Sequence, residues 1–406
     1  MSDFQTSTLE DMCELVIDCP HFTPEWTTKG FLVIRNQNIR NGRLDLSDKS
    51  FTHKEDFERR ITRAKPQEGD IIFTREAPMG EVCIIPEGLE CCVGQRQVLL
   101  RPKADIDGKY LFFALQSPYV RHQIFWNEGT GSTVSNVRIP VLKALKIPRQ
   151  PNETTIARIL SSLDDKIELN RRMNETLEEM ARVIFKDWFI DFGPTRAKQE
   201  GRAPYLPDCI WSLFPGAIDA ETRLPERWEP SKVEDFMELA YGKSLTAKNR
   251  RPGHVVVYGS GGKNGFHDEA LISSPAVIVG RKGTVGSIYW EERPIFPIDT
   301  VFYVVPKKTS LLFCYQLLLA QPLADMNTDA AVPGLNRNNA YRLEFPYPSS
   351  DLVNIYELAI SPIWKKRGIN LSETENLTET RDRLLPKLMS GEIRVKEAEK
   401  MVEEVL

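Results

Sequence analysis

Three stretches bring together residue types able to do chemistry, and each fails on spacing or setting. Gly242-Lys243-Ser244 has the ending of a phosphate-binding loop, whose glycine amides cradle phosphates, but Met237 stands where the first glycine of that motif is required. Tyr258-Gly259-Ser260-Gly261-Gly262-Lys263-Asn264-Gly265 is glycine-rich without the spacing or helix-opening context that delivers a pyrophosphate to a helix N-terminus, and it predicts a flexible turn. His267-Asp268-Glu269 holds acid–base groups, yet neighbours along an extended chain face opposite sides and no nucleophile accompanies them, so a surface turn is expected. There is no His-Glu-x-x-His, no Gly-x-Ser-x-Gly and no Asp/Asn-Pro-Pro-Tyr/Phe. The 7 cysteines include adjacent Cys91 and Cys92 but no Cys-x-x-Cys, a pattern of reduced, buried thiols. No catalytic residue, cofactor site or metal site is expected in this chain.

The chemistry that is present is recognition. Arg and Lys pair bidentately with guanine, and Asn and Gln with adenine. Such residues cluster at Arg35-Asn36-Gln37-Asn38 with Arg40, at Gln95-Arg96-Gln97 and at Arg337-Asn338-Asn339. Thr130, Ser132 and Asn136 offer hydroxyl, amide and backbone groups suited to phosphate. The candidate DNA-binding set is Arg35, Asn36, Asn38, Arg75, Gln95, Arg96, Thr130, Ser132 and Asn136 in the first half of the chain. In the second half it is Tyr258, Lys263, Asn264, Arg281, Lys282, Arg337 and Asn338. The same residue types also build ordinary turns. A formal net charge of -4 gives no bulk affinity for a polyanion, so a DNA surface must be local or shared with partners.

These residues are positioned by a duplication. Glu10-Asp11-Met12-Cys13-Glu14-Leu15 recurs as Glu234-Asp235-Phe236-Met237-Glu238-Leu239. Ile71-Ile72-Phe73-Thr74-Arg75 with Gly80 matches Val277-Ile278-Val279-Gly280-Arg281 with Gly286, as buried strands entering a turn. Arg101-Pro102-Lys103 answers Val305-Pro306-Lys307, Gln116-Ser117-Pro118 answers Ala320-Gln321-Pro322, and Ile147-Pro148 answers Phe345-Pro346. Repeats in one order make two similar globular units.

A long helix follows each unit. Ile156, Leu160, Leu163 and Ile167, then Leu177, Ala181, Ile184 and Trp188, trace a seam at steps of three and four, with Asn170 and Asn174 between the apolar runs. A helix from Ile156 to Trp188 would be about 48 Å long at about 1.5 Å per residue. Pro362 and Gly368 interrupt the second seam, predicting a kink or a short helix before a longer one from about Asn370, and Pro386 marks an end or second kink. The fold class expected is α/β, with two similar units separated by two long antiparallel coiled-coil helices. The boundaries are 1–150 and 231–350 for the units, 151–192 for the first helix, 193–230 for a proline-rich surface linker pinned by Trp211, Leu213 and Phe214, and 351–406 for the second helix and tail. No apolar run reaches about 18 residues and the N-terminus has no signal-peptide pattern, so a cytoplasmic protein is expected.

With these features the chain resembles the DNA specificity subunit of type I restriction-modification systems along nearly its full length. The resemblance is carried by Val16-Ile17-Asp18-Cys19-Pro20-His21, Ile34-Arg35-Asn36-Gln37-Asn38-Ile39, Gly129-Thr130-Gly131-Ser132-Thr133-Val134, the run from Ile159 to Glu168, Leu224-Pro225-Glu226-Arg227-Trp228 and the run from Leu384 to Ile393. It implies two target-recognition domains that each read half of a bipartite duplex DNA site, and two helices that act as a ruler. It implies methyltransferase subunits and a restriction translocase as partners, which carry S-adenosylmethionine, ATP and Mg and methylate adenine at N6. Other readings are a two-headed protein–protein scaffold or the DNA-recognition part of a fused nuclease or methyltransferase.

Overall fold

Thr8 caps a single helical turn, its hydroxyl accepting from the Asp11 amide at 3.1 Å, and the chain passes from α1 (Leu9–Met12) directly into strand β1 (Cys13–Asp18). Strands β2 (Ile71–Thr74), β3 (Val82–Ile84) and β4 (Gln97–Pro102) join it in an antiparallel sheet of order β1-β4-β2-β3. The apolar run of β2 is unbroken because both faces of the sheet are covered. Ile71 and Phe73 enter a core shared with helix α2 (Gly108–Gln116) and with Leu160 and Leu163 of the first long helix. Ile72 and Leu99 enter a second core with Leu32, Ile34, Cys91 and Val93, from a sheet in which Phe31–Ile34 and Cys91–Val93 run parallel.

The computed structural model describes residues 5–126, 136–273, 275–327 and 334–406, and the chain divides into two compact units, Met1–Asn170 with Ser372–Leu406, and Arg171–Leu371. The second unit repeats the plan of the first. Helical turn α3 (Val233–Phe236) leads into β5 (Met237–Tyr241), and β6 (Ala276–Gly280), β7 (Ile288–Glu291) and β8 (Val301–Pro306) complete a sheet of order β5-β8-β6-β7. Helix α4 (Leu311–Leu319) takes the place of α2. Val277 and Val279 face the helix-side core, while Ile278 faces a second core with Val256 and Ile295, whose strands again run parallel.

The first long helix spans Glu153–Phe189 and the second Ser350–Ser390, and each contributes residues to both units. Within the first unit Asp164 pairs with Arg381 at 2.7 Å and the Asn170 amide donates to Glu373 at 2.7 Å. Within the second, Asn370 donates to Asn174 at 2.9 Å and the Tyr356 hydroxyl to the Ala181 carbonyl at 3.2 Å. Rising numbers on one helix meet falling numbers on the other, so the segments are antiparallel in each unit. Asn170 and Asn174 are buried, as the seam predicted.

Two sequence expectations are corrected. The second helix continues through Pro362, Gly368 and Pro386, which overturns a break at the first two and an end at the third. Pro362 lies on the exposed side, so the carbonyl that loses its helical partner faces water. At Gly368 a Cβ would lie 2.5 Å from a carboxylate oxygen of Glu292, so the glycine there serves close packing rather than a break. The 193–230 stretch is not simply extended: it holds a helix at Gly193–Gln199 and a turn of helix at Asp208–Trp211. Phe214 is buried against Trp188, with ring centroids 5.3 Å apart.

Candidate nucleic-acid interface

Strands β2 and β6 end in the same turn. The Arg75 and Arg281 amides donate across it to the carbonyls of Arg96 at 2.8 Å and Thr300 at 2.9 Å. Their own carbonyls accept from Val137 at 3.1 Å and Leu335 at 2.8 Å, and Gly80 and Gly286 close the turn. Beside this turn each unit opens a cleft. In the first unit it measures about 360 Å³ and is walled by Trp26, Arg35, Asn36, Arg40, Gln95 and Arg96, among others. In the second it measures about 320 Å³ and is walled by Tyr241, Arg281, Lys282, Asn336, Arg337 and Asn338, among others. Each wall carries three cations and, among the described residues, no carboxylate.

Three of these six cations lie over aromatic rings. The Arg35 guanidinium lies 5.1 Å from the Trp26 ring centre, and those of Arg281 and Arg337 lie 5.0 and 4.8 Å from that of Tyr241. Such stacking orients the planar fork and leaves its N–H edge available. Arg96 occupies the left-handed region at φ 66°, a conformation that costs a side-chain-bearing residue energy and recurs at functional sites. Its guanidinium meets Glu76 at 3.3 Å while remaining largely exposed. Asn36 donates to the Glu76 carbonyl, and its buried Oδ1 has no partner among the described residues.

The clefts therefore gather Arg35, Asn36, Gln95 and Arg96 in one unit and Arg281, Lys282, Arg337 and Asn338 in the other. Three sequence candidates are corrected. Asn38 is buried and builds its own loop, accepting from the Arg35 amide at 2.9 Å and donating to the Asp45 and Asp48 carbonyls. Arg75 is gripped by both carboxylate oxygens of Asp18 at 2.8 Å and donates to the Val137 carbonyl. Tyr258 is a core residue whose hydroxyl donates to Glu291 at 2.9 Å. Lys263 and Asn264 are exposed on the hairpin of Val255–Gly259 with Gly262–His267, and Lys263 pairs with Glu291 at 3.1 Å. Asn136 bridges to Glu76 outside the cleft wall, and Thr130 and Ser132 lie outside the described residues.

His267 is also corrected: it is buried against Phe296 and accepts from the Arg251 amide at 3.1 Å, while Asp268 and Glu269 pair with Arg251. The cysteines are free thiols, buried except for Cys209, and burial pushes Cys92 up to about 11. Among the described residues no group of three His, Cys, Asp or Glu side chains is placed to hold a metal, and no helix is long and apolar enough to cross a membrane.

Sequence reasoning missed Trp26 and Tyr241. Tyr241 continues the odd-numbered apolar positions Met237 and Leu239, which predicts burial, but it ends the strand and its ring is about half exposed. No local signal marked either ring.

The model of the type I restriction modification DNA specificity domain matches residues 1–179 and 225–351. Similar proteins include the type I restriction enzyme HindI specificity subunit of Haemophilus influenzae, 25% identical over 80% of this chain and 87% of that one. The type I restriction enzyme MjaIX specificity subunit of Methanocaldococcus jannaschii is 24% identical over 87% of this chain and 86% of that one. In fold, the crystal structure of a type I restriction-modification S subunit from M. genitalium matches at a TM-score of 0.53, with 20% identity, over 96% of this chain and 97% of that one.

Proposed function

The chain belongs to the type I restriction modification DNA specificity family and is a DNA-recognition subunit of such a system; on that premise we propose that its two clefts each read one half of a bipartite, asymmetric duplex site. One observation carries the proposal. Beside the duplicated turn, each of two clefts is lined by three cations and, among the described residues, by no carboxylate, in a chain whose formal net charge is -4. A cation cluster in an otherwise acidic molecule is a local anion site. Exposed Asn338 adds an amide group of the kind that reads adenine edges, while the Asn36 and Gln95 amides donate within the first unit, to the Glu76 carbonyl and to His21 and Thr23.

On this reading the chain is non-catalytic and cytoplasmic. Methyltransferase subunits bring S-adenosylmethionine and methylate adenine at N6, and a restriction translocase brings ATP and Mg. The chain lends these partners its sequence preference, and they supply part of the phosphate clamp that a net-acidic subunit lacks.

The test is duplex binding by the chain co-purified with its modification subunit, from about 50 to 200 mM salt. A cognate duplex should keep its advantage over a scrambled one as salt weakens both. Equal affinity at every salt concentration would refute sequence reading.

A further inference from the structure

We infer that Arg337, backed by Tyr241, reads a guanine in the half-site served by the second unit; the inference rests on the DNA-reading function proposed above. Asp18 pairs with Val98 across β1 and β4, and Tyr241 pairs with Phe302 across β5 and β8, so Asp18 and Tyr241 occupy equivalent places. In the first unit Asp18 neutralises Arg75 through two bonds of 2.8 Å. In the second unit the equivalent arginine, Arg281, meets no carboxylate among the described residues. It lies over Tyr241 and donates to the Asp299 carbonyl at 2.7 Å.

Arg337 joins Arg281 on that ring and also lies 5.7 Å from the Tyr341 ring centre. It has no hydrogen bond or ion pair among the described residues, and its Nε is buried without a partner. Val137 and Leu335 hold equivalent places after the shared turn, which puts Ile139 where the second unit has Arg337. The free fork is therefore particular to the second unit. With Nε buried and no hydrogen-bond partner for the terminal nitrogens among the described residues, that N–H edge is left to take acceptors from a ligand.

The acceptor pair that fits a planar fork is the O6 and N7 edge of guanine. Adenine presents a donor, N6, beside N7 and would oppose the same fork. Phosphate also takes arginine, but the cation placed for it is Lys282, which is exposed while Arg337 is partly withdrawn. A recessed fork serves a base edge entering the cleft.

The experiment maps adenine methylation genome-wide in hosts expressing the modification subunit with wild type, Arg337→Lys, Tyr241→Phe or Tyr241→Asp. Wild type is expected to require a G·C pair at one position of one half-site. Lysine can reach guanine but lacks the planar fork that lies on Tyr241, so Arg337→Lys should relax that position about 5- to 150-fold and leave the other half-site intact, which also reports a folded protein. Tyr241→Phe should retain the preference. Tyr241→Asp, which copies the first unit's residue, should lose it. With the wild-type complex, 7-deazaguanine at that position should weaken duplex binding by at least about 5-fold, and Arg337→Lys should be less sensitive to the replacement than wild type. Half-sites without G·C, or a loss spread evenly over all sequences in Arg337→Lys, would overturn the inference while leaving DNA reading intact. Absence of any sequence preference in wild type would instead refute the function on which it rests.

Discussion

The Asn370 side-chain amide donates to the Asn174 carbonyl oxygen at 2.9 Å, and both residues are buried between the long helices within the second unit. A polar pair in an apolar seam lowers stability and fixes register. Asn174→Leu alone removes the acceptor and is expected to destabilise the chain by about 1–3 kcal/mol. Adding Asn370→Leu should recover most of that loss. Urea unfolding of Asn174→Leu, Asn370→Leu and the double variant checks this, and losses of the two single variants that simply add in the double would show that the pair is not coupled.

Arg60 shapes the first cleft without lining it. It is 2% exposed and donates to the carbonyls of Val93 at 3.0 Å, Phe22 at 2.7 Å and Pro20 at 3.4 Å. Those carbonyls anchor the segments that supply Thr23, Pro24 and Trp26 on one wall and Gly94, Gln95 and Arg96 on another. Arg60→Met is expected to cost about 2–4 kcal/mol and to blur base preference in one half-site only. Methylation mapping beside a melting curve separates the two effects. A melting change with both half-sites unaltered would limit Arg60 to stability.

Glu291 gives a pH signature. Burial pushes its carboxyl up, but bonds from Arg293, Lys263 and Tyr258 outweigh this and bring it down to about 2 from 4.5. A depressed folded-state value means stability that is fully present above pH 4.5 and lost as pH falls toward 2. The wild type should exceed Glu291→Gln by about 3 kcal/mol near pH 6 and by much less near pH 2. Denaturant unfolding at the two pH values reads the change, and a constant difference would contradict the assignment.

Pro362 lies on the exposed side of an unbroken helix. Pro362→Ala restores an amide donor and removes a steric clash, so it should stabilise the chain by about 1–3 kcal/mol, visible as a higher melting temperature.

Much of this was written in the sequence. The repeated Glu-Asp-x-x-Glu-Leu and the paired Gly80 and Gly286 predicted two similar units with strands entering a turn, because short-range chemistry sets these locally; the shared strand order became visible only in the structure. The seam at Ile156, Leu160 and Leu163 predicted the first long helix for the same reason. Pro362 misled because local propensity takes no account of which way a residue faces once a helix is packed. The clefts were half legible. Arg35, Arg96, Arg281 and Arg337 stood out by type, but Asn38, Arg75 and Tyr258 share those types and are consumed by the fold. Tyr241 became visible only when two distant strands placed it opposite Arg281 and Arg337, a tertiary fact without a local mark.

The central claim is that one chain reads two half-sites through two clefts. Its most direct test compares genome-wide adenine methylation for Arg96→Ala and Arg337→Ala, each co-expressed with the modification subunit. The account predicts that each variant relaxes a different half-site by about 1–3 kcal/mol at one position and leaves the other half-site as in wild type. Unchanged preference in both variants, or the same half-site altered by both, would contradict it.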